Sequence, residues 1–127
     1  ERALLKGGER RDMVSHLLPC MNAAELLEIQ QKVRMVHASD ALMDYLQALI
    51  ARTRQSPHYV NGLSPRAGLA LLHSARAWAL MHGRNQVLPE DVQAVLPSVV
   101  GHRLQPTGDH AHHKDLAENL ISAVAIP

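Results

Sequence analysis

The chain has 127 residues, the size of one domain, and a net charge of +1, too weak to draw it to nucleic acid or to a membrane surface. Aromatic residues make up only 2% of the sequence although hydrophobic residues make up 46%, so the core must consist of Leu, Ala, Val and Met, which favours packed helices over a sheet. With one cysteine and no apolar run of the ~20 residues that cross a bilayer, we expect a cytoplasmic protein with no internal disulfide and no membrane partner.

The first helix signal is a short apolar face over residues 13–18 that ends at Pro19, which cannot continue a helix. Asn22 and Glu25 then have the spacing of a capping box and predict the start of a second helix. The apolar residues that follow recur at helical intervals, and we expect them to point inward: Leu26, Ile29 and Val33, with Val36 beyond them.

Ser39 and Asp40 begin the clearest amphipathic helix of the chain, and Ser56 and Pro57 end it. Polar residues such as Asp44 occupy one side of this helix. The opposite face carries Leu42, Tyr45, Leu46, Leu49, Ile50 and Thr53.

The next helix, predicted over residues 65–82, is apolar on most sides and is therefore expected at the centre of the fold. A narrow polar stripe runs along it through Arg66, His73 and Arg76. Gly83 is expected to end the helix as a left-handed residue. The loop before it, residues 56–63, contains Pro, Asn and Gly and should be ordered mainly by its neighbours.

The last third of the sequence predicts two further helices, a short one that Pro89 opens and an amphipathic one over residues 116–124. Residues 105–114, which lie between them, are polar and turn-rich and predict a linker. Short extended pieces at 35–37 and 86–88 are expected to pair as a minimal strand contact. Together these elements predict an all-α bundle of about four to five helices.

The most informative stretch is Asn-Gly-Leu-Ser-Pro-Arg-Ala at residues 61–67, which sets an arginine into the first turn of the central helix. Ser64 is placed to cap this helix, and Pro65 suits its first position, where no backbone donor is needed. The helix dipole does not favour a cation there, but a guanidinium that shares a helix N-terminus suits a phosphate. From these residues alone, a solvated Arg66 at a helix start is an equally good interpretation.

Motifs for independent catalysis are missing from the sequence. There is no glycine-rich phosphate loop with Lys and Ser/Thr, no strand ending in paired acids, and no Gly-x-Ser-x-Gly elbow, so we expect no catalytic residue in this chain. His110, His112 and His113 lie beside Asp109, but a zinc site needs ligands fixed by structure, and these fall in the predicted linker. We therefore predict no metal site.

A helix-turn-helix DNA-binding protein is the natural rival interpretation, with residues 65–82 as the recognition helix. That helix is too apolar to meet base edges or phosphates, and the charge balance is nearly neutral. We therefore expect no nucleic-acid partner.

A series of short motifs runs along the chain from residue 36 to its end. They are Val36, Ser39-Asp40, Tyr45, Thr53-Arg54, Gly62-Leu63-Ser64-Pro65-Arg66-Ala67, Leu71-Leu72, Ala75-Arg76-Ala77, Ala79-Leu80, Gly83-Arg84, Val87-Leu88-Pro89-Glu90-Asp91-Val92, His102-Arg103-Leu104 and Ala123-Val124-Ala125-Ile126-Pro127. In order and spacing they resemble the C-terminal lid of MoxR-type AAA+ ATPases. The resemblance covers most of residues 22–104 and, more loosely, both termini.

The resemblance implies a helical lid over residues 22–104, an N-terminal helical segment over 1–21 that joins it to an ATPase core of the same chain, and a linker with a C-terminal helix over 105–127. Because the sequence begins at Glu1, we expect a fragment or a processed product. The core would hold ATP and Mg²⁺ and hydrolyse ATP. Arg66 would be the sensor-2 arginine that reaches the γ-phosphate, with Ser64 and Pro65 beside it.

The resemblance also implies that the lid couples ATP hydrolysis to conformational change in a chaperone-like remodeller. Members of the family form homo-oligomeric rings and work with von Willebrand-type domain proteins. Without the core, the chain is expected to bind ATP weakly or not at all.

The sequence departs from the family pattern at Leu63, at Asn85-Gln86 and at Leu88, which stands where a threonine would cap the next helix. Loss of that cap would cost about 1 kcal/mol unless another group replaces it. The alternative function is a structural or partner-binding helical module in which Arg66 has no nucleotide role.

Overall fold

The structure is a computed structural model that describes residues 14, 16–107 and 113–126. Within these ranges it contains five α-helices: α1 (Ala23–Met35), α2 (Asp40–Gln55), α3 (Pro65–Met81), α4 (Pro89–Val100) and α5 (His113–Ser122). The predicted all-α bundle is confirmed. None of the helices in this part of the chain has both the length and the hydropathy that crossing a membrane requires.

The predicted helix ends are confirmed where local hydrogen bonds define them. At the start of α1 the Asn22 side-chain oxygen accepts from the Glu25 N–H (2.9 Å), and the Glu25 carboxylate accepts from the Asn22 N–H (2.7 Å). Ser39 caps α2 by accepting from the Leu42 N–H at 3.2 Å. Gly83 follows α3 with φ +71°, the left-handed conformation that glycine adopts without strain.

The core lies around α3, which packs most extensively on α4 and also contacts α1 and α2. Helix α5 packs on α4 and α2 and completes the bundle. Leucine and valine fill the centre, as the scarcity of aromatic residues requires. The largest fully buried apolar side chains are Tyr45, Leu49, Leu71, Val92, Leu96, Val100, Leu104 and Leu120.

Helix α1 differs from its prediction, because none of its residues is buried. Leu26 is 46% exposed and Ile29 38% exposed, and only Val36, directly after the helix, enters the core. Among the described helices, α1 contacts α3 alone. The expectation that Leu26 and Ile29 point inward is therefore wrong, whereas Val33 is half-buried and the inward position of Val36 is confirmed. An apolar periodicity indicates a face without indicating what covers it.

The predicted strand contact is confirmed as a single parallel bridge between His37 and Gln86. The His37 N–H donates to the Asn85 carbonyl (2.8 Å), and the Val87 N–H donates to the His37 carbonyl (2.9 Å). This bridge ties the α1–α2 connection to the segment between α3 and α4.

A second, antiparallel bridge between Tyr59 and Pro106 has no counterpart in the sequence prediction. The Val60 N–H donates to the Gln105 carbonyl, and the Thr107 N–H donates to the His58 carbonyl, both at 2.9 Å. Residues 105–107 of the predicted linker are therefore paired with the loop that precedes α3. Residues 113 and 114 already belong to α5, whereas 108–112 lie outside the described ranges.

Candidate functional site

The first turn of α3 is capped as the sequence predicts. The Ser64 hydroxyl accepts a hydrogen bond from the Ala67 N–H at 3.2 Å, and Pro65 occupies the opening of the helix. The Gly68 N–H donates to the Ser64 carbonyl (3.2 Å). The N–H groups of Ser64 and Arg66 have no acceptor among the described residues, so backbone donors stay free at this helix end.

The side chain of Arg66 also lacks a partner among the described residues at the start of α3. The residue is exposed, and it forms neither a hydrogen bond nor an ion pair with any described residue. No acidic residue lies in the first turn of α3. The helix end therefore carries a guanidinium and a free amide, two donors that suit an oxyanion.

The residue before the cap is held by the end of α2. The Leu63 N–H donates to the Thr53 hydroxyl oxygen at 2.9 Å, and the Leu63 carbonyl accepts from Arg54 Nε at 3.0 Å. The Leu63 side chain is 3% exposed and belongs to the core. Sequence reasoning placed Thr53 on the apolar face of its helix but assigned no partner to its hydroxyl.

An apolar groove runs beside this helix start, between α2 and α3. Its volume is about 600 Å³, and its lining includes Met43, Ile50, Pro65, Gly68 and Leu69. Leu69 is 59% exposed and Met43 37% exposed. The candidate site thus combines polar donors at the helix end with an uncovered apolar surface next to them.

The other members of the predicted polar stripe lie in different surroundings. His73 is exposed, whereas Arg76 is half-buried, and its Nε is buried without a partner among the described residues. The stripe is therefore not a uniform surface that a single ligand would contact.

Histidines and acids do not come together as metal ligands in the described part of the chain, where no group of three His, Cys, Asp or Glu is placed to hold an ion. The predicted cluster is only partly within it. Asp109, His110 and His112 lie outside the described residues, and of His113 only the backbone is described.

The sequence that forms this site is similar to that of known proteins. Residues 51–122, more than half of the chain, match the family of AAA lid domains. The chain belongs to this family. The matched range of the lid contains Thr53, Arg54 and the whole of α3, and therefore the helix end that carries Arg66.

Two relatives extend the similarity along the lid. This chain is 31% identical to the uncharacterised protein YeaC of Bacillus subtilis over 123 residues, which cover 94% of this chain and 38% of the relative. It is 31% identical to the chaperone MoxR1 of Mycobacterium tuberculosis over 121 residues, which cover 84% of this chain and 32% of the relative. The lid thus spans about a third of the length of these curated relatives.

A crystal structure of a candidate ATPase from Cytophaga hutchinsonii has the same fold. The superposition has a TM-score of 0.76 and 26% identity, and it covers 82% of this chain and 36% of that one. Together with the relatives, it identifies the chain as a C-terminal lid of the MoxR-type AAA+ ATPases.

Proposed function

We propose that this lid takes part in ATP binding and couples ATP hydrolysis to conformational change in a chaperone-like AAA+ ATPase. In this proposal Arg66 contacts the terminal phosphate of ATP, as a sensor-2 arginine does. The observation that supports it is the helix end itself, where the guanidinium and the free N–H of Arg66 have no acceptor among the described residues.

These donors fit a triphosphate on chemical grounds. ATP supplies a terminal phosphoryl group with three anionic oxygens, and a guanidinium binds such oxygens through paired N–H groups. Ser64 and Pro65 shape the helix end, because the Ser64 hydroxyl occupies the Ala67 amide and the proline has no N–H, while the Arg66 amide stays free to donate. The positive end of the α3 dipole adds to the attraction of an anion.

The same contact explains coupling. A charge-assisted hydrogen bond contributes roughly 1.5–3 kcal/mol, which changes a conformational equilibrium about ten- to a hundredfold. Without the phosphate, a cation sits at the positive end of a helix dipole, an unfavourable arrangement. The lid position that brings Arg66 to the nucleotide would then lose its stabilisation, so the lid would move when the phosphate is lost.

The proposal requires an ATPase core in the full-length chain, which would hold Mg²⁺ and most of the nucleotide. Relatives about three times as long as this chain, one of them named a chaperone, support such a core. The exposed apolar groove beside Arg66 is a surface that burial against a larger domain would stabilise. A homo-oligomeric ring, a von Willebrand-type domain partner and a cytoplasmic location remain predictions.

The test is the substitution Arg66→Ala in the full-length protein, measured by steady-state ATP turnover. We expect kcat/KM to fall roughly ten- to a hundredfold. The kcat/KM of Arg66→Lys should lie between those of the natural protein and Arg66→Ala, because an ammonium keeps the charge without the paired donors. Arg52→Ala is the matched control, since Arg52 is also exposed but lies on α2. If Arg66→Ala turns over ATP like the control, Arg66 does not contact the nucleotide.

The alternative, a partner-binding module without a nucleotide role, is favoured by one observation. Helix α1 exposes apolar side chains, of which Leu27 is 59% and Met35 83% accessible. Under this alternative, Ile29→Asp would abolish co-purification with a partner while Arg66→Ala leaves ATP turnover unchanged. The pair of substitutions therefore separates the two functions.

A further inference from the structure

We propose that Thr53 and Arg54 are positioning residues for Arg66. They hold the backbone of Leu63 from both sides and thereby determine where α3 begins. The inference rests on the proposed function, because it assigns a consequence for ATP turnover to residues that do not themselves contact the nucleotide.

The two contacts use both polar groups of one residue. The Thr53 hydroxyl oxygen accepts from the Leu63 N–H at 2.9 Å, in a buried position, and Arg54 Nε donates to the Leu63 carbonyl at 3.0 Å. The same Thr53 hydroxyl donates its proton to the Ile50 carbonyl at 2.7 Å, so its orientation is set by the helix it belongs to. The hydroxyl therefore presents a fixed acceptor to Leu63.

The position of Leu63 determines the position of Arg66 because little freedom lies between them. Leu63 is 3% exposed, which anchors its side chain as well as its backbone. Ser64 follows directly as the cap, and Pro65 has a restricted φ. The two hydrogen bonds to the Leu63 backbone therefore fix the position of Arg66, which follows only three residues later.

Gly62 shows how closely the two segments approach. A Cβ at Gly62 would lie 2.7 Å from the Cα and 2.9 Å from the N of Arg54, and it would also overlap the Arg54 Cγ. The loop can therefore approach the end of α2 only with glycine at this position. This contact is the reason for the glycine, because the only glycine with positive φ in the described chain is Gly83.

Arg54 does not contribute as an ion pair. The ion pairs among the described residues are Lys32–Glu28 and Arg84–Asp91, and neither includes it. Its Nε is instead committed to a carbonyl in the loop. A purely electrostatic role for Arg54 would not require that geometry.

The experiment is a mutant cycle in the full-length ATPase. Thr53→Val removes the hydroxyl at nearly constant volume, and Arg54→Met keeps the side-chain stem against Gly62 but removes the donor. Each is measured for kcat/KM with ATP, in the natural protein and in the Arg66→Ala background. We expect each substitution to lower kcat/KM roughly two- to tenfold in the natural protein and to cause no further loss in the Arg66→Ala background.

Matched controls separate positioning from folding. Thr107→Val removes another hydroxyl that donates to a backbone carbonyl, that of Pro57, and Arg52→Met removes an exposed arginine of the same helix. Both should leave kcat/KM within about twofold. Thr53→Ser restores the hydroxyl and should restore turnover.

Each outcome decides. If Thr53→Val and Arg54→Met lower kcat/KM by the same factor in the Arg66→Ala background as in the natural protein, the positioning role is overturned. It is also overturned if neither substitution lowers kcat/KM although Arg66→Ala does. Both outcomes leave the proposed function intact. An Arg66→Ala protein with unchanged turnover overturns the proposed function and, with it, this inference. If Thr53→Val does not fold, the Arg54→Met cycle decides by the same criterion, because the Arg54 side chain is exposed.

Discussion

Arg84 and Asp91 form a two-point ion pair that joins the segment after α3 to the first turn of α4. The distances Nη1–Oδ2 and Nη2–Oδ1 are both 2.5 Å, and the Asp91 carboxylate also accepts from the Leu88 N–H at 2.8 Å. The Asp91 side chain is 2% exposed, whereas that of Arg84 is 31% exposed. Asp91 thus caps α4 from its third position by accepting from the Leu88 N–H, whereas the Leu88 side chain has no oxygen with which to cap the helix.

The environment of Asp91 makes it dependent on this partner. Burial alone would raise the pKa of the Asp91 carboxyl, but the hydrogen bonds from Arg84 and from the Leu88 backbone outweigh it and hold the pKa below its usual value. The carboxylate is therefore ionised, buried and compensated mainly by one arginine.

We predict that Arg84→Met lowers the free energy of unfolding by about 3 kcal/mol at neutral pH, because it leaves a buried carboxylate without its counter-ion. Urea denaturation measures this. The control is Lys32→Met, which breaks an exposed pair with Glu28 and should cost less than about 1 kcal/mol. Equal losses in the two variants would contradict the buried role of Arg84.

The pH dependence of stability provides a second prediction. Because the folded-state pKa of Asp91 lies below its unfolded value of about 3.9, its contribution is complete above that pH and is lost as the pH falls through the folded-state pKa. Asp91→Asn lacks this titration. The difference in unfolding free energy between the natural and variant chains should be constant above about pH 5 and should shrink as the pH falls below about 4. Parallel curves throughout would contradict the assignment.

Helix boundaries could be predicted because their signals are local. The Asn22–Glu25 box, the Ser64 cap and the left-handed Gly83 each depend on residues within one turn, so the hydrogen bonds follow from spacing alone. The pairing of His37 with Gln86 was also predicted, from two short extended segments.

Contacts across turns, one of which organises the candidate site, could not be predicted in the same way. Leu63 contacts Thr53 ten residues before it, and Arg84 contacts Asp91 seven residues after it, in both cases across a turn. Neither contact lies within one helix or strand, so periodicity does not predict it; the path of the turn decides which groups meet. The prediction that the apolar face of α1 is buried was wrong for a related reason, because the residues of α1 do not specify what packs against them.

Two glycines beside the site allow a matched stability test. We predict that Gly62→Ala destabilises the lid by about 1–3 kcal/mol, because the added methyl would meet backbone atoms of Arg54, which cannot move aside. At Gly68 the methyl would lie 2.5 Å from Ile50 Cδ1, the far end of a flexible side chain. Alanine also gains up to about 1 kcal/mol there through helix propensity, so Gly68→Ala should be nearly neutral. Thermal unfolding distinguishes the two, and similar losses at both sites would show that the approach of Gly62 to Arg54 is not tight.

The last prediction concerns ATP binding by these 127 residues without any further domain. A contact to one phosphate through Arg66 contributes roughly 1.5–3 kcal/mol, whereas a dissociation constant of 1 mM already requires about 4.1 kcal/mol. Ordering the ligand costs additional free energy. Calorimetry on the folded chain, checked first by circular dichroism, should therefore detect no saturable heat at micromolar ATP. Micromolar binding would mean that the lid has a nucleotide pocket of its own, and that the core is not needed to hold ATP.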